Sequence, residues 1–151
     1  MFSPFLILWM VFAHWVADFV CQTHWQASNK SKNYVALSRH VLVYTACMAA
    51  ATYPFVAWPD HGPQWLVFVV VTFIAHFVTD DITSKITSKL FMGQFEKTWI
   101  YDRAEDGVVT VLDWRWAMKP KFNPHWFFVV IGFDQFLHYA QLFLTLAWVM
   151  S

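Results

Sequence analysis

Three apolar segments of this 151-residue chain each carry a histidine and an aspartate four positions apart. They are His14 and Asp18 in HWVADFVCQ, His76 and Asp80 in AHFVTDD, and Asp134 and His138 in FDQFLH. Four residues of α-helix turn through about 400°, so both members of each pair share one helical face. An ionisable side chain at the centre of a bilayer costs about 2.5–3.5 kcal/mol on insertion scales. Three such pairs in segments this apolar therefore mark a polar site inside a helical bundle. Imidazole beside carboxylate points to a metal or to protons as its cargo.

The rest of the chain supports a membrane setting. It is 58% hydrophobic, 21% aromatic and only 13% charged, where soluble domains carry about 25% charged residues. The mean hydropathy is +0.41. A soluble fold of this size could not hide that much apolar surface. The formal net charge is zero, with no basic stripe, so no nucleic-acid partner is expected. Cys21 and Cys47 lie in or beside apolar segments and read as reduced thiols that pack as small apolar groups. The opening MFSPFLILWM has neither a basic flank nor a small-residue cleavage site. It reads as a retained first span and not as a signal peptide.

A bilayer core is crossed by about 20 apolar residues in helix. Four segments qualify, at about 4–22, 37–57, 64–83 and 126–149. The expected architecture is an all-α, integral membrane four-helix bundle forming one domain over 1–151. The turn WPDHGPQ joins the second and third spans, and a polar insert of about 84–125 separates the third and fourth. Every lysine and arginine falls in or beside the first loop or in this insert: Lys30, Lys32 and Arg39, then Lys85, Lys89, Lys97, Arg103, Arg115, Lys119 and Lys121. The positive-inside rule then puts the first loop and the insert in the cytoplasm and both termini outside. Trp58, Trp65, Trp99, Trp114, Trp116 and Trp126 crowd the segment ends, as headgroup-level aromatics do. Within the insert, SKITSKLFMGQFEKT reads as a continuation of the third helix or an interfacial segment. GVVTVLDWRW reads as an extended or hairpin element after the turn-like AEDG, and KPKFNPH as a proline-punctuated lead into the last span. The insert offers a docking surface for a cytoplasmic partner, but no motif names one.

Depth ties the polar residues together. Counted from the cytoplasmic ends of the spans, His14, Asp18, His40, His76, Asp80, Asp134 and His138 all fall within about 20 Å of that surface. Four spans thus contribute to one leaflet. This donor set suits zinc, iron or manganese, and all seven residues are candidate metal ligands. Asp18, Asp80 and Asp134 are also the candidate catalytic groups, since a carboxylate that does not bind metal can orient a ligating histidine or accept a proton. Gln22, Lys85 and Gln135 are expected to support the site or face a substrate. Against this stands the bland reading, in which polar side chains glue helices together at about 0.6 kcal/mol each. The chain has no HExxH motif, which would have specified a zinc protease. Lys85 and Lys89 read most simply as snorkelling anchors, His24, His61 and His125 as solvated loop residues, and Tyr44 as a packing aromatic.

These residues carry a resemblance. HWVADFVCQ, NKSKN, RHVLVY, AHFVTDDITSK and FDQFLH, in that order, resemble the domain of unknown function 3307 family, small integral membrane proteins of bacteria and phages. His14, Asp18, Phe19, Gln22, Lys30, His40, His76, Asp80, Lys85, Asp134, Gln135 and His138 match its pattern, while 95–124 is less typical. The resemblance implies a multi-pass fold in a lipid bilayer and supplies no reaction. The leading functional expectation is a divalent-metal-dependent membrane hydrolase acting on a lipid or membrane-proximal ester, amide or phosphoester. The alternatives are a proton- or cation-binding transport module, which with so few spans would need a homo-oligomer, and a non-catalytic interaction protein of the membrane.

Overall fold

The computed structural model describes residues 3–56, 62–91, 95–103, 109–118 and 124–151. Helix α1, Pro4–Trp15, starts on Ser3, whose hydroxyl accepts the Leu6 amide at 3.1 Å, with proline in the first helical position. It runs on into a π-helical turn, Val16–Val20, closed by the Cys21 amide on the Val16 carbonyl at 2.9 Å. The short helix α2, His24–Asn29, is fixed by a capping box in which Thr23 and Gln26 satisfy each other's backbone amides. Then come α3, Tyr34–Val56, and α4, Gly62–Phe91. Strands β1, Phe95–Arg103, and β2, Val109–Met118, pair antiparallel with an irregularity between Ile100 and Tyr101. Helix α5, Pro124–Val149, follows.

The expected helical class holds, with a β-hairpin added in the insert. The helix continuing the third span ends at Phe91, and Phe95–Thr98 belong to β1. That part of the helical expectation is corrected. KTWIY is β-branched and aromatic, which favours a pleated strand once a partner is supplied, and GVVTVLDWRW supplies it. The first segment is corrected too. Its regular α-helix stops at Trp15, so Gln22 lies beyond both α1 and the π-turn. The turn residues 57–61 with Trp58 and His61, the AEDG turn and the KPKFN segment lie outside the described residues.

Three helices, Tyr34–Val56, Gly62–Phe91 and His125–Val149, are long and apolar enough to cross a membrane, and Pro4–Val20 is a shorter apolar helix. Their outward faces carry Leu8, Phe12, Trp15, Leu42, Leu66, Ile74, Phe128, Phe133, Phe136 and Leu144, all exposed. Their inward faces recur at helical spacing and change character along the axis. Met10, Tyr44, Met48, Phe68, Leu142 and Leu146 form the apolar half of the core. Continuing on the same stripes, Asp18, His40, Asp80 and His138 are buried in the polar half, one to three turns on. Ala13 and Ala17, small and buried, let the first helix approach α3 closely. Near Pro54, which has no N–H to give the ladder, Trp9 and Trp65 donate their indole N–H to the carbonyls of Ala51 and Ala49 at 3.0 and 3.2 Å.

Candidate metal centre

Four donor atoms from three chain segments meet at the polar end of the core. His40 Nε2 of α3 lies 3.0 Å from Asp18 Oδ1 of the π-turn and 3.1 Å from Asp80 Oδ2 of α4. His76 Nε2 of α4 lies 3.3 Å from His40 Nε2, 3.8 Å from Asp18 Oδ1 and 3.6 Å from Asp80 Oδ2. All four side chains are at most 5% exposed. Two ligands on tetrahedral zinc, each about 2.0–2.1 Å from the ion, stand about 3.3 Å apart. The five separations scatter around that value. Asp18 Oδ1 has no hydrogen-bond partner although His40 Nε2 is so near. Ligand atoms of Asp18, His40 and His76 all lie within 4.8 Å of one another, close enough to share one ion.

A fifth group stands beside these four. His138 Nδ1 donates to the Asp134 backbone carbonyl at 2.9 Å. That fixes the tautomer and leaves Nε2 bare. This Nε2 has no hydrogen-bond partner and lies 3.6 Å from Asp80 Oδ1. Asp18, His40 and His76 form one potential metal triad, and His76, Asp80 and His138 a second that shares His76. The His76 ring lies flat on Tyr44, with centroids 3.7 Å apart and planes 9° from parallel. Packing therefore orients it, since its Nδ1 and that of His40 have no hydrogen-bond partner.

His14 sits one layer away from this point. Its Nε2 is 2.9 Å from Gln135 Oε1 and its Nδ1 is 2.8 Å from the Tyr44 hydroxyl. A carbonyl oxygen can only accept, so neutral His14 donates from Nε2 and takes the tyrosyl hydrogen on Nδ1. Gln135 Nε2 in turn donates to Asp18 Oδ2 and Asp134 Oδ2, each at 3.1 Å. The opposite amide orientation would set its carbonyl oxygen against both carboxylates. Tyr44, His14 and Gln135 thus form a chain that holds Asp18 from behind. Tyr44, one turn after His40, both packs and hydrogen-bonds, and so joins the site as well as filling the core.

Lys30, a basic residue of the first loop, reaches into the site. It ends α2, and its Nζ donates to Asp80 Oδ2 at 3.0 Å with the side chain 18% exposed. Burial by itself would lower its pKa, but the Asp80 and Asp18 carboxylates outweigh burial and hold it above the ordinary lysine value. The signal was available in the capping box of TxxQ, which sets α2 and so aims its last residue inward. Lys85 goes the other way. It is 40% exposed and paired with Asp81 at 2.6 Å and the Tyr34 hydroxyl at 3.0 Å, apart from the cluster. Gln22 lies against a cavity next to the cluster with its Nε2 buried and unpartnered. Asp134 borders the same cavity, its Oδ1 likewise without a hydrogen-bond partner. His24 opens α2 at the cavity rim instead of lying in a loop.

The family profile described as "Protein of unknown function (DUF3307)" matches residues 5–151. The chain belongs to the DUF3307 family. The match covers the π-turn, all five helices except the first residue of α1, and the hairpin, so the whole cluster falls inside the family's domain. No curated protein and no solved structure matches this DUF3307 chain.

Proposed function

We propose that this protein is a multi-pass membrane protein that holds a divalent metal between α3, α4 and the π-turn and uses it for hydrolysis at the cytoplasmic face of a bacterial inner membrane. The observation that carries the reading is the convergence of His40 Nε2, His76 Nε2, Asp18 Oδ1 and Asp80 Oδ2 at separations of 3.0–3.8 Å. Two imidazoles and two carboxylates suit zinc, with iron and manganese as the other candidates. His138 Nε2 supplies a further donor nearby.

A divalent ion held there acts as a Lewis acid toward a carbonyl or phosphoryl oxygen and makes a neighbouring water more acidic. The protein's own groups do the rest. Asp134, which borders the cavity and has one oxygen held by Gln135, is the group to take a proton. Gln135 keeps Asp18 and Asp134 oriented, and the apolar half of the core closes the site from the opposite side. The exposed apolar faces of the helices are the lipid-facing surfaces, and the lysine- and arginine-bearing end lies in the cytoplasm.

Elemental analysis of detergent-purified protein tests the reading, alongside a His40→Ala/His76→Ala variant matched for folding by gel filtration. About one zinc, iron or manganese per chain in the wild type and none in the variant is the expected result. Metal-dependent release of product from lipid esters or phosphoesters, abolished by a chelator, tests the hydrolytic half. Wild-type protein that stays metal-free after reconstitution overturns the reading.

A further inference from the structure

Beside the metal cluster lies a cavity of about 500 Å³, inside the range of about 300–1,000 Å³ typical of small-molecule sites. Its lining is graded. It includes three carboxylates, Asp18, Asp80 and Asp134, the first two of which belong to the four-donor set. From Asp81 outward, α4 runs DITSKITSK, and the repeated Thr-Ser pair puts Thr83, Ser84, Thr87 and Ser88 on the cavity wall over about 7.5 Å of helix. The intervening Lys85 points elsewhere, toward Asp81 and Tyr34. Across from this hydroxyl wall, the end of α2 and the turn after it contribute Lys30 and Lys32. Two buried polar groups on lining residues, Gln22 Nε2 and Ser84 Oγ, have no hydrogen-bond partner among the described residues. Buried polar groups are rarely left so, and each calls for a partner from outside the chain, such as water, an ion or a bound group.

We propose that this cavity takes a phosphate monoester or diester group, bound between the metal, Lys30 and the Ser84–Gln22 donors. This rests on the metal reading given above and names the substrate class for that site. Without an ion, three carboxylates face two ammonium groups, and the lining repels an anion. A divalent ion reverses that balance, so phosphate affinity depends on the metal. Lys30 is the coupling residue. In the metal-free protein it neutralises Asp80 at 3.0 Å. Once the ion takes over Asp80, the ammonium is released to the incoming phosphoryl oxygen, as a compact charge with three donors can be.

The test is calorimetric titration of full-length protein in a maltoside detergent, with zinc-loaded and chelator-stripped samples and metal content read separately by elemental analysis. The probes are inorganic phosphate and dihexanoyl phosphatidic acid. Loaded wild type is expected to bind at least one probe about tenfold or more tightly than stripped protein, as it is to exceed loaded Lys30→Met or Ser84→Ala. Lys30→Met is expected to keep its zinc. Should that variant fail to fold, Ser84→Ala and Lys32→Met carry the comparison. Preference for the short-chain lipid identifies a headgroup, and equal binding identifies a free phosphoester; either supports the site. Zinc-loaded wild type that binds neither probe overturns the phosphate inference while the metal reading stands. Wild type that holds no zinc fails both, and equal phosphate binding with and without metal overturns the proposed coupling.

Discussion

His14 and Gln135, separated by most of the chain, are joined by a 2.9 Å hydrogen bond from the imidazole Nε2 to the amide oxygen. His14 and Asp18 share a helical turn, yet their nearest polar atoms are 3.9 Å apart. Their connection runs through Gln135, which accepts from one and donates to the other. The first of the three His/Asp pairs is therefore split. Asp18 faces the metal position, and His14 supports it from the layer behind.

The split separates two histidines that look equivalent in sequence. His76→Ala removes the ligand shared by both triads and should abolish metal retention. His14→Ala leaves every atom of the four-donor set in place and should keep about one metal per chain, with affinity reduced about 10–100-fold as for other groups that support ligands. Elemental analysis and competition with a chromophoric chelator read the two outcomes. Equal loss in both variants would place His14 among the ligands.

Gln135→Leu removes the acceptor of His14 and the donor of two carboxylates at once. Hydrogen bonds to charged groups contribute about 1.5–3 kcal/mol each, so a loss of about 3 kcal/mol is expected. Thermal or denaturant unfolding in detergent measures it. A change under about 0.5 kcal/mol, the scale of an ordinary surface substitution, would mean the network is not maintained.

Tyr44 separates stacking from hydrogen bonding. Tyr44→Phe keeps the ring against His76 and removes only the hydroxyl on His14. It should cost about 1 kcal/mol and leave metal content unchanged. Tyr44→Ala opens a hole in a fully buried position, should cost about 3–5 kcal/mol, and should lower metal affinity as His76 loses its orientation. Comparing the two variants in unfolding and metal-binding assays isolates what the ring does.

Lys30→Met leaves Asp80 with an uncompensated charge in the metal-free protein. Breaking a buried pair in this way costs about 3–5 kcal/mol. Because a divalent ion offers Asp80 another partner, saturating zinc should restore most of that stability. Unfolding midpoints of wild type and variant, each with and without zinc, give the answer. A variant equally weakened in both states would show that Lys30 serves the fold alone.

Much of this arrangement was legible because helical spacing and span depth are simple arithmetic. The i, i+4 pairs, the long apolar runs and the one-sided lysines and arginines led to helices with a shared polar layer, and His40, His76, Asp80, Asp18 and His138 do meet. The arithmetic failed where the backbone departs from 3.6 residues per turn. After Trp15 the π-turn changes which side chains align, and Gln22 comes to line the cavity from beyond the helix end. It also failed where a position depends on two elements at once. Lys30 enters the site because a capped two-turn helix aims it there, and Lys85 turns away because Asp81 and Tyr34 hold it. The outer half of the insert gave its hairpin through β-branched and aromatic content, while the strand at Phe95–Thr98 needed its partner to be recognised.

Gln135 has one more effect. An amide can accept from His14 and donate to Asp18, but it has no proton to hand on unless it rearranges to an unstable imidic acid. The path from Tyr44 through His14 to Asp18 is thus mechanically continuous and closed to proton flow. A displacement at Tyr44 would be felt at the carboxylates, whereas a proton on Asp18 does not return to Tyr44 by this path.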